Sequence, residues 1–283
     1  MLGSAAGTLQ SGGRIGVGYS GGISGETMKN AFIAGAQSAG ALVLDFGEVM
    51  ESEAMFAISA LGLCLSAYIT GGPECSVKFL GVGGMPARPE VIRKIDETVT
   101  SGNFRRCCWN EYRAVTDTGG IKLLYRRELY TGAPSGLSKM SARAVCDNRQ
   151  GEKLFSETLE RLGCNTLQGN IYRLSPDGMS LSIEDDTAGI IGPRRVSVLY
   201  CGTEFEQHND VAVPYDAPKE LDDLAKRYGR RIYRVGGEDN FENEGYNMAR
   251  AQYRMRDGIM TAIHLMAYMC ERNMSLEQLD MHF

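Results

Sequence analysis

The first hundred residues alternate between short apolar runs and longer stretches in which apolar and polar positions mix. The predicted strands cover residues 14–18, 41–46, 64–70 and 76–81, and the predicted helices cover residues 25–38, 51–61 and 89–100. Ser24 is predicted to cap the first of these helices, because a hydroxyl oxygen there can accept a free amide of the first turn. Strands that alternate with helices predict a parallel sheet with helices on both faces.

The second half of the chain repeats this alternation less regularly. Strands are predicted at residues 142–146, 164–167, 181–184, 196–200, 211–213 and 231–235, and helices at 152–162, 218–228, 257–271 and 275–279. Residues 105–138 are predicted to be a connection that closes the first domain. The pattern as a whole predicts an α/β protein with mixed, mostly parallel sheets covered by helices.

Charge and composition argue against some classes of binding partner, but they do not indicate a reaction. The net charge of −5 and the pI of about 5.4 argue against a nucleic-acid partner. No apolar run reaches the length of a membrane span, and the amino end lacks the basic and apolar segments of a signal peptide. We therefore predict a cytoplasmic protein without membrane contact. None of the 8 cysteines forms a C-x-x-C pair, so free buried thiols are expected.

Several segments, in order along the chain, resemble the α-D-phosphohexomutases (phosphoglucomutases and phosphomannomutases). The similar segments are RIGVGYSGGISGETMKNA (14–31), 39–49, YITGGPECSVKF (68–79), 210–229, 233–239 and the helix start at 257–259. The resemblance implies phosphohexomutase-like domains in tandem. We assign 1–137 to a domain I with its connection and without its first strand, 138–178 to a reduced domain II and 179–283 to a domain III. The fourth domain is expected to be absent.

The departures from the family pattern fall at its catalytic positions. The family stores a phosphoryl group on the serine of a Thr-Ala-Ser-His-Asn-Pro turn, and the resemblance puts Gly72 at that position. Tyr19 and Gly22 stand where the family has arginines, and its sugar-binding loop has no counterpart before residue 257. We therefore assign no catalytic residue, and keep Ser24, Thr70 and Lys78 as candidate ligand-binding residues.

The family's magnesium loop, Asp-x-Asp-Gly-Asp-Arg, is matched in this interpretation to residues 184–189. Glu184 and Asp186 keep two carboxylates, whereas Ala188 and Gly189 replace the third carboxylate and the arginine. We expect no cofactor, with Mg²⁺ retained only if Glu184 and Asp186 hold it.

Three functional hypotheses follow. The first is a pseudoenzyme that acts by binding or assembly. The second is a residual phosphosugar-binding protein or mutase. The third is a dinucleotide-binding protein, because Gly16, Gly18 and Gly21 form a G-x-G-x-x-G pattern and Asp45 ends the next strand. The expected partners are a phosphosugar and a second copy of the chain. The methionine-rich helix 257–271 is expected to belong to the core, and to form a dimer interface only if it is exposed.

Overall fold

The computed structural model describes residues 1–131, 133, 137–236 and 244–283. These residues form two compact units, Met1–Tyr125 and Arg126–Phe283. Residues 237–239, which belong to one of the segments that resemble the phosphohexomutases, lie outside the described residues. None of the helices in the described ranges combines the length and the apolar composition that crossing a bilayer requires.

The first unit is built on a five-stranded sheet with the order β4-β3-β1-β2-β5. The strands are β1 (Arg14–Ser20), β2 (Leu42–Glu48), β3 (Leu65–Thr70), β4 (Ser76–Gly81) and β5 (Thr116–Asp117). The first three strands and β5 run parallel, and β4 pairs antiparallel with β3. The predicted strands are therefore confirmed, and the fold is α/β with a mostly parallel sheet.

The order of these strands creates a crevice at their carboxyl ends. The helices of this unit are α1 (Leu2–Leu9), α2 (Gly22–Ser38), α3 (Glu51–Ala60), α4 (Pro89–Ser101) and the start of α5 (Ile121–Tyr130). Because β2 and β3 lie on opposite sides of β1, right-handed crossovers put α2 and α3 on opposite faces of the sheet. The strand order therefore reverses at β1, with β2 added on one side of it and β3 on the other. Open α/β sheets bind ligands beside such a switch point.

The second unit contains a four-stranded sheet with the order β6-β7-β8-β9. The strands are β6 (Ser141–Cys146), β7 (Asn165–Leu174), β8 (Leu181–Asp185) and β9 (Gly189–Ile191). β6 and β7 are parallel, and β8 and β9 continue the sheet antiparallel. The domain boundary predicted after residue 178 falls in the turn between two paired strands of this sheet. The three domain ranges themselves stay a prediction.

Helices of the second unit cover one face of this sheet and flank a smaller sheet. The helices are α6 (Arg149–Arg161), α7 (Pro193–Glu206), α8 (Glu220–Tyr228), α9 (Glu244–Ala251), α10 (Gly258–Arg272) and α11 (Leu276–His282). Three of them, α6, α7 and α10, pack on the four-stranded sheet, and β10 (Val211–Pro214) pairs in parallel with β11 (Ile232–Val235). Met260, Met266 and Met269 of α10 are buried, so this helix belongs to the core, as its apolar pattern predicts.

Two local predictions are wrong. Residues 196–200 lie in α7 and not in a strand, because Pro193 begins a helix whose apolar residues are buried all around. Ser24 is not a cap, since α2 begins at Gly22 and Gly21 precedes it in a left-handed conformation with φ 86°. The segment 105–138, expected to be a connection that closes the first domain, also contains β5 and α5, and β5 completes the first sheet beside β2.

The start of α10 provides a stability test. Asp257 is buried, and its side chain accepts the amide hydrogen of Met260 at 3.0 Å. We expect Asp257→Ala to lower the free energy of unfolding by about 0.5–2 kcal/mol, as loss of an N-cap acceptor does. Asp257→Ser keeps an acceptor and is expected to lose less. Urea unfolding of both variants measures the difference, and equal losses would contradict a capping role.

Candidate functional site

The turns that follow β1 and β3 meet at the amino end of α2. The amide of Gly71 donates to the carbonyl of Ser20 at 2.9 Å. A Cβ placed on Gly21 would lie 2.6 Å from the carbonyl oxygen of Gly71, and one on Gly71 would lie 2.4 Å from the amide nitrogen of Gly25. Only glycine permits this approach, so the backbone of the β3–β4 turn occupies the amino end of α2, where an anion would otherwise bind.

Ser24 and Thr70 both take part in this contact region. The Oγ of Ser24 accepts the amide hydrogen of Gly72 at 3.0 Å and donates to the carbonyl of Gly21 at 3.1 Å. Thr70 ends β3 and pairs in register with Ser76 across a five-residue turn that has no hydroxyl side chain. Ser24 is therefore already hydrogen-bonded to the turn, while the exposed Thr70 lies beside it.

Lys78 is held by a carboxylate that the sequence analysis did not single out. Its Nζ lies 2.8 and 2.7 Å from the two carboxyl oxygens of Glu51, the first residue of α3. The Glu51 side chain is only 7% exposed, against 55% for Lys78. Lys78 is thus the cation that compensates a buried carboxylate, and an anionic ligand would have to compete with Glu51 for it.

Asp45 has a similar internal partner. Its Oδ2 lies 2.6 Å from the Nζ of Lys29, which is almost entirely buried, and its Oδ1 accepts the amide hydrogen of Gly47. Lys29 also lies 5.2 Å from the ring centre of Tyr19. The carboxylate that the dinucleotide hypothesis assigned to a ribose is therefore engaged within the unit. Lys29 and Asp45 are 16 positions apart in the sequence. No local sequence pattern predicts such a pair, because the β1-α2-β2 crossover brings the two residues together.

The carboxylates proposed for magnesium lie on the other sheet. Glu184 and Asp186 both border the same concave surface, but Oε1 of Glu184 accepts two hydrogen bonds from Arg173, at 2.9 and 3.0 Å. Asp185 accepts from the amides of Thr187 and Ala188, and these bonds lower its pKa against the opposing effect of partial burial. The described residues offer no group of three or more potential metal ligands. These side chains therefore do not fit a family-type magnesium loop.

His264 belongs to a separate polar cluster in the second unit. Its Nε2 lies 2.7 Å from Oγ1 of Thr203, and its ring stacks on Tyr200 at 4.3 Å between centres. Burial lowers the pKa of His264, and the nearby Glu204 opposes that shift. The histidine is a packed residue of the α7–α10 contact, as the apolar pattern of its helix indicated.

Comparisons with known proteins agree with this fold. Residues 1–106 match the family model for phosphoglucomutase/phosphomannomutase, alpha/beta/alpha domain I. A probable phosphoglucosamine mutase of Thermococcus gammatolerans is 31% identical over 196 residues, which cover 64% of this chain and 42% of the relative. A phosphopentomutase of Thermococcus kodakarensis is 26% identical over 271 residues, which cover 83% of this chain and 60% of the relative.

A solved structure extends the likeness in fold to nearly all of the chain. The phosphoglucomutase/phosphomannomutase family protein of Burkholderia thailandensis superimposes with a TM-score of 0.74 at 15% identity, covering 95% of this chain and 72% of that one. The chain spans only about 42% to 60% of the length of the two curated relatives named above. The domain I match and the curated relatives support a relationship to the α-D-phosphohexomutases, and the solved structure shows that nearly all of the chain has their fold.

The Lys78–Glu51 pair predicts a stability effect. Lys78→Met leaves a buried carboxylate without its cation, so we expect the free energy of unfolding to fall by about 1–3 kcal/mol. Lys78→Arg is expected to retain most of that stability. As a control, Lys153→Met removes an exposed i, i+4 pair with Glu157 and should change stability by less than about 0.5 kcal/mol. A neutral Lys78→Met would contradict the structural role.

The partly buried His264 predicts a pH dependence of stability. Because the pKa of His264 is lower in the folded chain, the unfolded chain binds more protons as the pH falls through about 6.5, and stability decreases there. We expect this decrease between about pH 7 and about pH 5.5 to be smaller in His264→Phe, which cannot titrate. His208 and His282 remain in the variant and provide the background. Thermal unfolding at several pH values measures it, and an identical slope in both proteins would contradict the assignment.

Proposed function

We propose that this chain keeps the phosphohexomutase fold without phosphoryl transfer at the β3–β4 turn, and that it acts by binding or assembly. The observation that carries the proposal is the contact between the two turns at the amino end of α2. The turn at the position of the family's phosphoserine consists of Gly71, Gly72, Pro73, Glu74 and Cys75. It offers no hydroxyl to carry a phosphoryl group, and the backbone of Gly71 packs against the amino end of α2.

Charge stabilisation around this turn is also weak. Phosphoryl transfer depends on cations and backbone amides placed around the transferred group. Lys29 and Lys78 are both committed to carboxylates, and the amides of Gly71 and Gly72 already donate to Ser20 and Ser24. Removing a single preorganised donor commonly costs about 10²–10³ in rate. The combined changes support a loss of turnover and not a modest reduction.

Binding of a phosphosugar is the second candidate. The curated relatives are named for phosphoglucosamine and phosphopentose chemistry, so a sugar phosphate is the ligand class that the family suggests. Thr70 is exposed at the end of β3, and the Lys78 side chain is about half exposed beside it on β4. The phosphate of a ligand could therefore replace the Glu51 carboxylate as the partner of Lys78 without opening the turn.

The dinucleotide hypothesis has less support. Its pyrophosphate would need the amino end of α2, which the β3–β4 turn occupies, and its ribose would need Asp45, which is paired with Lys29. Both features would have to rearrange before such a ligand could bind.

Turnover is the first test of the proposal. Purified protein with Mg²⁺ is expected to interconvert neither glucose 1-phosphate, mannose 1-phosphate nor glucosamine 1-phosphate with the corresponding 6-phosphate. Gly72→Ser supplies a hydroxyl but adds no cation, and its side chain would strain a backbone with φ 137°, so it is expected to remain inactive. Steady formation of a 6-phosphate by the unaltered chain would refute the proposal, and loss of that activity in Ser76→Ala would identify the nucleophile.

Ligand-induced stabilisation tests the second candidate. Each sugar phosphate is added to the unaltered protein, to Lys78→Ala and to Lys78→Arg, and the shift in Tm is taken against the same variant without ligand. Binding at Lys78 predicts a shift that Lys78→Ala loses and Lys78→Arg keeps. The same shift in all three proteins would mean that the phosphate binds elsewhere.

A further inference from the structure

The four-stranded sheet of the second unit leaves one face open. Along one row across the sheet, Arg143 pairs with Ile171, Ile171 with Glu184 and Glu184 with Ile190. These four side chains lie on the face opposite to Ala142, Tyr172, Ile183 and Ile191, which are buried beneath the helices. The open row is partly apolar, and Ile190 is 76% exposed. Leu167 and Ile190, both strongly exposed, border the same depression on this face, and clustered exposed apolar residues mark interaction surfaces.

The open face has both a depression and a projection. Ser141 of β6 pairs with Asn165 of β7, whereas Ala142 pairs with Asn170. Residues 166–169 of β7 therefore form a bulge without a counterpart on β6. This bulge and the β8–β9 turn border a depression of about 580 Å³. Leu167, at the bulge, is 90% exposed. A projecting apolar side chain beside a depression is a shape that can fit a second copy of itself.

The charges at the two edges of the face are opposite. Within the described part of the chain, the side chains of Arg143 on β6 and Asp186 in the β8–β9 turn take part in no ion pair or hydrogen bond, and both residues are exposed. Glu184 and Asp185, by contrast, are satisfied by Arg173 and by the turn amides. One edge thus presents an available cation and the other an available carboxylate, at the same end of the sheet.

We infer that this open face binds the same face of a second copy around a two-fold axis parallel to the strands. That rotation places β6 of one copy over the β8–β9 edge of the other. Arg143 of each copy then contacts Asp186 of the other copy, so the symmetric dimer contains this ion pair twice. Each Leu167 then enters the depression of the other copy. The site lies at the amino end of the parallel strands, away from the carboxyl end where ligands of α/β sheets bind.

The expected affinity is modest. Four strands about 4.8 Å apart and about five residues long give a projected area on the order of 300 Å². A standard interface buries about 800 Å² on each partner, so the bulge and the turn must contribute and the dimer is expected to dissociate in the micromolar range. The inference does not depend on whether the β3–β4 turn is catalytically active.

Sedimentation equilibrium of the full chain across the micromolar range tests the inference. A concentration-dependent dimer is expected. Arg143→Glu or Asp186→Arg alone should raise its dissociation constant at least about tenfold, because a like-charge pair then forms at both ends of the interface. The combined R143E/D186R variant should return to within about threefold of the unaltered chain, since the pair reforms with reversed sign.

Two further variants separate the face from the rest of the surface. Leu167→Glu should abolish the dimer, and Leu123→Glu, which alters an equally apolar, 71% exposed residue on α5, should leave it unchanged. Circular dichroism and Tm verify that each variant is folded. A monomer at every concentration would overturn the inference. So would a dimer that Leu167→Glu does not weaken, or single charge variants that the combined variant does not rescue.

Discussion

The backbone contact between the turn after β1 and the turn after β3 determines what the first unit can do. The two turns meet because Gly21 and Gly71 have no side chains between them, and the hydroxyl of Ser24 adds a hydrogen bond to Gly72. In an open α/β sheet this is the switch point at which a ligand is normally bound. Here the amides of Gly71 and Gly72 donate within the chain, and the backbone of the turn fills the position at the amino end of α2 where an anion would bind.

The lysines near this contact that could bind an anion are likewise paired with carboxylates of the same chain. Lys29 and Lys78 are each bonded to a carboxylate, Asp45 and Glu51, and in each pair one member is almost entirely buried. A buried charge without its partner would be costly, so these pairs resist exchange with a ligand. Lys78 is the less buried of the two lysines. Breaking its ion pair to bind a phosphate would therefore cost less free energy than breaking the ion pair of Lys29.

Much of the fold was predictable from sequence, because strands β1 to β4 are apolar runs bounded by glycine or proline and the order of elements implies parallel pairing. Residues 196–200 were not, since a short, fully apolar run has the same pattern in a buried helix as in a strand. The candidate site was predictable only in its location. Ser24, Thr70 and Lys78 do lie near one edge, but the ion pairs at Glu51 and Lys29 depend on contacts between elements that sequence spacing does not reveal.

The central claim is that the β3–β4 turn cannot carry a phosphoryl group, and intact-protein mass spectrometry tests it most directly. The protein is incubated with Mg²⁺ and each sugar 1-phosphate and 6-phosphate, then measured together with its Gly72→Ser variant. We predict an unchanged mass for both proteins, because the native turn has no hydroxyl, and Lys29 and Lys78 are paired with carboxylates in both proteins. A gain of one phosphoryl group by the unaltered chain, mapped to Ser76, Thr70 or Ser24, would contradict it.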